Sequence, residues 1–167
     1  RIRAINPECE VECIEDFVTP ENVDKILGRN FSVIIDAIDQ VRAKAAMIAF
    51  CKAHKIPIVV AGAAGGQIDP SKVQVSDLSQ TVQDPLLARL RAVLRRDHGF
   101  PREKKKKFGV IAVYSTEPLR YPETANACET SDGPAGLNCA GFGSSVCVTS
   151  VFGMVAAAQA INLIAVK

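Results

Sequence analysis

The amino-acid sequence predicts an α/β fold, with a parallel βαβ unit followed by mixed or antiparallel strands and a buried C-terminal helix. Three observations carry that prediction. Residues 31–61 read strand, helix, strand with short links, which within one sheet means parallel pairing and a right-handed crossover. Two further strand patterns, at 72–78 and 108–115, flank a helix that opens at Asp84-Pro85. The chain has 167 residues, 48% hydrophobic and 23% charged. That is the make-up of one compact domain over 1–167 with a substantial core, and it excludes wholesale disorder, collagen-like sequence and a disulfide-dense miniprotein.

The elements follow in order. Arg1 to Ile5 has helical character up to Pro7 and reads as the tail of a helix that begins upstream. Val11 to Phe17 alternates loosely and suggests a short strand. Thr19-Pro20-Glu21 supplies an N-cap, a proline at the first helical position and an early acid, opening a short helix through Leu27. Phe31 to Ile35 is an apolar, β-branched run of the kind covered on both faces, and it ends in Asp36-Ala37-Ile38-Asp39. Val41, Ala45, Ile48 and Ala49 mark a helix from about Val41 to Lys55. Ile56 to Ala61 is a second buried strand. Lys72 to Leu78 alternates like a half-exposed strand. Asp84-Pro85 caps a helix with Leu86, Leu87, Leu90, Val93 and Leu94 on one side, and Phe108 to Ser115 is a strand. Long loops are expected at 97–108 and at 121–143, the latter rich in Gly, Pro, Asn, Thr and Ser.

Residues 134–166 contain no charged side chain, and a bilayer span needs roughly 20 predominantly apolar residues. The stretch nevertheless carries Asn138, Thr149, Gln159 and Asn162, has no basic flank on each side, and is rich in small residues suited to close packing. It is expected to be a core helix, with no membrane span.

Candidate chemistry is sparse. Asp36 closes a strand, and Asp39 sits just before a helix N-terminus, where ligands of open parallel sheets bind. A carboxylate there can hold Mg²⁺ beside a phosphate. The competing reading is structural, with Asp39 capping the helix and Asp36 binding backbone amides. Gly62-Ala63-Ala64-Gly65-Gly66-Gln67 follows a strand but opens no helix and lacks a phosphate-loop signature. Its glycines permit a sharp exit and close backbone approach. Six cysteines, at 9, 13, 51, 128, 139 and 147, show no CxxC pair. Structural zinc is therefore unsupported, and free thiols in a reducing cytoplasm are expected. Cys139 is a weak catalytic candidate by its place in the long loop, with packing as the alternative. His54 and His98 stand near no nucleophile in sequence.

Charge is segregated. The segment 89–107 carries nine cations (Arg89, Arg91, Arg95, Arg96, Arg102 and Lys104, Lys105, Lys106, Lys107) against Asp97 and Glu103. Its net charge is +7 where the whole chain has +2, leaving −5 for the rest. Such a segment suits a nucleic-acid backbone; the alternative is a solvated helix face and lysine loop.

Taken together, RIRAINPEC (1–9), DFVTPENV (16–23), VIIDAIDQVRAKAAMIAFC (33–51), the run from IPIVVAGAAGGQIDP to VQDPL (56–86) and GVIAVYSTEPLRYP (109–122) resemble the tRNA threonylcarbamoyladenosine dehydratases. These form a branch of the ubiquitin-activating-enzyme-like ThiF/MoeB/HesA superfamily. The resemblance covers nearly the whole chain. It implies a Rossmann-like ThiF-type adenylating fold and an ATP-dependent enzyme. Such an enzyme cyclises threonylcarbamoyladenosine in tRNA by carboxylate activation, with net loss of water. It also implies that Asp39 matches the Mg·ATP aspartate and Asp36 the first acid of the D-x-x-D element, so that ATP and Mg²⁺ are the expected cofactors. With tRNA as substrate, the charge segregation makes Arg91, Arg95, Arg96, Arg102 and Lys104 to Lys107 the expected tRNA contacts. Implied partners are tRNA, a second copy of the chain and a sulfur-relay protein. The family's glycine-rich ATP loop falls before the equivalent of Arg1, so this chain is expected to be the C-terminal portion and inactive alone. Two alternatives stand beside this: a non-catalytic dimerisation or nucleic-acid-binding module, and an activator of a ubiquitin-like sulfur carrier, the latter opposed by the missing CxxC pairs.

Overall fold

The computed structural model describes residues 1–103, 105–120 and 143–165. Its centre is a four-stranded sheet of order β1-β2-β4-β3, built from β1 (Ile34–Asp36), β2 (Ile58–Ala61), β3 (Val73–Asp77) and β4 (Ile111–Ser115). β1 pairs with β2 in parallel, Ile34 opposite Ile58, and β2 with β4 in parallel, Val59 opposite Ile111. β3 runs antiparallel to β4, Val73 opposite Ser115. The expected βαβ unit and the mixed second half are both present.

Helices α2 (Val23–Leu27), α3 (Val41–His54) and α4 (Pro85–Asp97) follow a single turn at α1 (Ile2–Ile5), and α5 (Val146–Ala165) closes the described chain. The period of two along each strand divides the core. Val60 and Ala112 point to α3 and α4 and join Ile48, Leu87, Leu90 and Leu94. Val59 and Val113 point the other way and meet Val148, Phe152 and Ala156 of α5. α4 starts where its sequence says: Asp84 Oδ1 accepts from the Leu87 N–H at 2.9 Å, and Pro85 occupies the first turn, where no N–H is needed.

Several expectations are corrected. Val11–Phe17 forms no strand; among the described residues no strand pairs with it, and Phe17 is 82% exposed. The helix expected from Pro20 begins at Val23 with Asn22 as N-cap. The residues before it close a side-chain turn, in which Asn22 Oδ1 accepts from the Thr19 N–H at 2.7 Å and Thr19 Oγ1 from the Glu21 N–H at 3.3 Å. β1 is not fully covered on both faces: Ile34 is buried while Ile35 is 46% exposed at the sheet edge.

The C-terminal helix is buried along a stripe of Val148, Phe152, Ala156 and Ala160 and exposes Val146, Met154 and Ile161. It is apolar all round, so its composition reads as a fully enclosed helix, but among the described residues the sheet covers one side. By length and composition it is the one described helix able to cross a bilayer, with mean hydropathy 1.7 and 22% of its apolar window buried. Of the loop expected at 121–143, all but Gly143 lies outside the described residues.

Candidate functional site

The carboxyl ends of β1 and β2 meet the start of α4 around a cavity of about 260 Å³. Ala37, Ile38 and Asp39 line it from the β1–α3 link, Gly62 to Gly65 from the exit of β2, and Pro85 and Leu86 from α4, with Leu119 and Ser144 beside them. This is the position where open parallel sheets bind ligands.

Asp39 is exposed on the rim. It is not the α3 cap, which is Gln40 without a side-chain hydrogen bond. Asp36 is fully buried. Its Oδ1 accepts from the Ile38 N–H at 2.9 Å, as the structural reading expected, but its Oδ2 takes Lys44 Nζ at 2.8 Å. Lys44 is also fully buried and donates to the Ala61 carbonyl at 3.0 Å. Burial pushes the Lys44 ammonium below its ordinary range, against the opposing pull of Asp36. Sequence reasoning passed over Lys44. The available signal was a lysine on the face of α3 that carries Val41 and Ile48, eight residues after an acid that ends a buried strand.

The Gly62–Gln67 segment leads into a 3-10 turn at Pro70–Lys72 and opens no α-helix, so its glycines serve close approach. A Cβ on Gly62 would lie 2.0 Å from Asp84 Oδ2. Asp84 Oδ2 also accepts from the Ala63 N–H at 2.9 Å, so one carboxylate holds both the exit of β2 and the start of α4. Burial raises the Asp84 carboxyl above its ordinary range, opposed by the hydrogen bonds from Leu87 and Ala63. Further on, Glu117 Oε2 accepts from the Ile68 and Asp69 N–H groups at 2.9 and 2.8 Å.

The basic segment divides. Arg91 donates to Thr81 Oγ1. Arg95 donates to the Pro101 carbonyl at 3.1 Å and lies over the Phe108 ring, 5.1 Å from its centroid. Arg96 pairs with Asp97 at 2.7 Å. These three of the expected tRNA contacts are thus engaged by the protein itself. Arg102, Lys105, Lys106 and Lys107 are exposed, whereas Lys104 lies outside the described residues.

This loop is clipped at its far end. Asp77 accepts from the N–H groups of Ser79, Phe108 and Gly109 at 2.9, 2.9 and 2.7 Å. Burial alone would raise the Asp77 carboxyl, but those hydrogen bonds together outweigh it and hold the group below its ordinary range.

Cys139 and Cys128 also lie outside the described residues. Among the described ones Cys9, Cys13, Cys51 and Cys147 are free thiols, and no group of three His, Cys, Asp or Glu could enclose a metal. His54 stacks on Phe50 with ring centroids 4.0 Å apart. It lines a second cavity of about 550 Å³, at the amino ends of the strands and away from Asp39.

Residues 1–167 match the ThiF family. The chain belongs to that family. It is 48% identical over 163 residues to the tRNA threonylcarbamoyladenosine dehydratase of Haemophilus influenzae, covering 97% of this chain and 61% of that one. It is 49% identical over 172 residues to the Escherichia coli enzyme of the same name, covering 100% and 64%. The crystal structure of the E. coli tRNA N6-threonylcarbamoyladenosine dehydratase in complex with ATP superposes with a TM-score of 0.85 at 47% identity, over 99% of this chain and 61% of that one. A complex of the same enzyme with AMP matches equally. The chain thus spans about three-fifths of the length of the relatives it matches, and the ThiF-type fold expected from the resemblance is present.

Proposed function

We propose that this chain is part of an ATP-dependent enzyme that dehydrates and cyclises threonylcarbamoyladenosine in tRNA, with Asp39 on the nucleotide side of the reaction. The observation that carries the reading is an exposed acid on the rim of a cavity at the carboxyl ends of two parallel strands, in a chain close to half identical to dehydratases. Mg²⁺ is usually held by one or two carboxylates together with substrate phosphates and water. A single rim aspartate fits a metal that arrives with ATP better than a dedicated metal cage. When bound, Mg·ATP supplies the activating group for the threonyl carboxylate. The chain's own residues supply a carboxylate for the metal and a largely apolar wall, from Ala63, Ala64, Pro85 and Leu86, that limits water on that side.

Arg102 and Lys105 to Lys107 contribute the tRNA backbone contact in this reading, because they project from a loop whose root is clipped by Asp77. Arg91 and Arg95 support that loop and helix instead, and Arg96 stays exposed beside Asp97. A homodimer, a sulfur-relay partner and a cytoplasmic setting belong to the same proposal and rest on the resemblance.

The test is nucleoside mass spectrometry of threonylcarbamoyl-modified tRNA incubated with Mg·ATP and the full-length gene product. Water loss that disappears in Asp39→Ala, with the circular dichroism spectrum unchanged, is the expected outcome; normal turnover in that variant refutes the assignment of Asp39. If the parent binds tRNA but never alters the nucleoside, the non-catalytic nucleic-acid module favoured by the basic loop replaces the enzyme.

A further inference from the structure

We propose that Lys44 is a positioning residue for the nucleotide cleft, its buried ammonium tying the ends of β1 and β2 together and so setting the loop that carries Asp39. This rests on the reading of Asp39 given above.

The connection is a short chain of hydrogen bonds. Lys44 Nζ reaches Asp36 Oδ2 at 2.8 Å, and the other oxygen of the same carboxylate takes the Ile38 N–H at 2.9 Å. Ile38 is the neighbour of Asp39. The same ammonium holds the Ala61 carbonyl at 3.0 Å. Ala61 precedes Gly62 and Ala63, and Ala63 is fastened to Asp84 at the start of α4. One cation therefore connects two of the loops that line the cavity, and Asp84 carries the tie to the third wall.

Packing alone does not account for a lysine here. The other buried positions of α3 are Ala43, Ala45, Ala46, Met47, Ile48 and Cys51, all apolar. Both members of the pair have fully buried side chains. A buried ion pair is commonly no more stabilising than well-packed apolar residues of the same volume, because two charges must be stripped of water. What an apolar pair cannot supply is a fixed direction for the Asp36 carboxylate, hence for the Ile38 amide and the turn beyond it.

The experiment replaces the pair in the full-length gene product with apolar residues, Asp36→Leu with Lys44→Met. Three readouts are taken: thermal melting, amide hydrogen exchange, and ATP affinity with and without Mg²⁺. The expected result is a melting temperature close to the parent's, with exchange at Ile38 accelerated at least tenfold. The Val59, Val60 and Leu90 amides keep their protection. Mg·ATP affinity falls at least tenfold while metal-free ATP affinity changes much less. A folded double variant with parental protection at Ile38 and parental Mg·ATP affinity overturns the proposal.

If the double variant does not fold, Asp36→Asn gives the second test. It keeps Oδ1 for the Ile38 amide and withdraws the oxygen that takes the lysine. A loss of Mg·ATP affinity of threefold or more, at unchanged metal-free affinity, is expected, and no loss overturns the proposal. Should the parent itself fail to bind Mg·ATP, the nucleotide reading of the cleft falls. Exchange at Ile38 still decides whether Lys44 sets this loop.

Discussion

The sharpest stability prediction concerns Gly62→Ala. The added Cβ would lie 2.0 Å from Asp84 Oδ2, 3.1 Å from its Cγ and 3.2 Å from Leu87 Cδ1. Leu87 is fully buried and Asp84 is 4% exposed, so neither has open space to enter. For the carboxylate to yield, it must release the Ala63 N–H, the Leu87 N–H, or both. Forcing one extra carbon into a packed site costs about 1–3 kcal/mol, and weakening an N-cap adds about 1 kcal/mol. A total of about 3 kcal/mol corresponds to a melting temperature lower by roughly 6–12 °C for a chain of this size. Thermal and urea unfolding followed by far-UV circular dichroism read this directly. Gly153→Ala is the control: a Cβ there would meet nothing within 4 Å on an exposed helix face, and it should gain about 0.5–1 kcal/mol through helix propensity. A loss at Gly62→Ala under about 1 kcal/mol would show that the Asp84 clamp is soft and refute the argument.

Other expectations follow from the same contacts. Asp77→Asn removes a charged acceptor of four amides and should cost about 2 kcal/mol, measured by urea unfolding. Because the Asp77 carboxyl is held below its ordinary range when folded, its contribution is present above the ordinary carboxylate range. It is lost as pH falls through the folded value, so the gap between parent and variant should close in acid. Burial pushes the Cys51 thiol up to about 11, and peptide mapping after brief alkylation at neutral pH should find Cys13 and Cys147 modified and Cys51 intact; early Cys51 labelling would contradict its burial. Replacing Arg102, Lys105, Lys106 and Lys107 with alanine should weaken tRNA binding and reduce the slope of log affinity against log salt by up to about 3. An unchanged slope in filter binding would return these residues to ordinary surface charge.

The parts of this fold legible in the residues are those set by local rules. The β-branched runs at 31–35 and 56–61, the periodic helix between them and the Asp84-Pro85 start of α4 each carry their cause within a few residues, and all are present. Readings that turned on a partner outside the local pattern went astray. An alternating run at 11–17 becomes a strand only with a neighbour to pair with, and Thr19-Pro20 resembles a helix start until Asn22 closes the turn.

The candidate site shows the same division. Its two acids stand out at a strand end, with their nucleotide role coming only from the family resemblance, and the cationic segment stands out by its charge. Which groups are occupied was not legible. Asp36 is consumed by Lys44, and Arg91, Arg95 and Arg96 by Thr81, Pro101 and Asp97.

By itself, then, the sequence determined the class of fold and the order of its main elements, since backbone propensity, side-chain periodicity and capping act over short range. The tertiary structure alone decided which face of α5 is covered, which arginines bond to other parts of the protein, and that a lysine on α3 joins the ends of two strands. These depend on desolvation and hydrogen-bond geometry between residues far apart in the chain, from Lys44 to Ala61 and from Asp77 to Gly109. Such contacts leave at most a weak local sign, because a buried lysine and an exposed one are the same letter until packing decides between them.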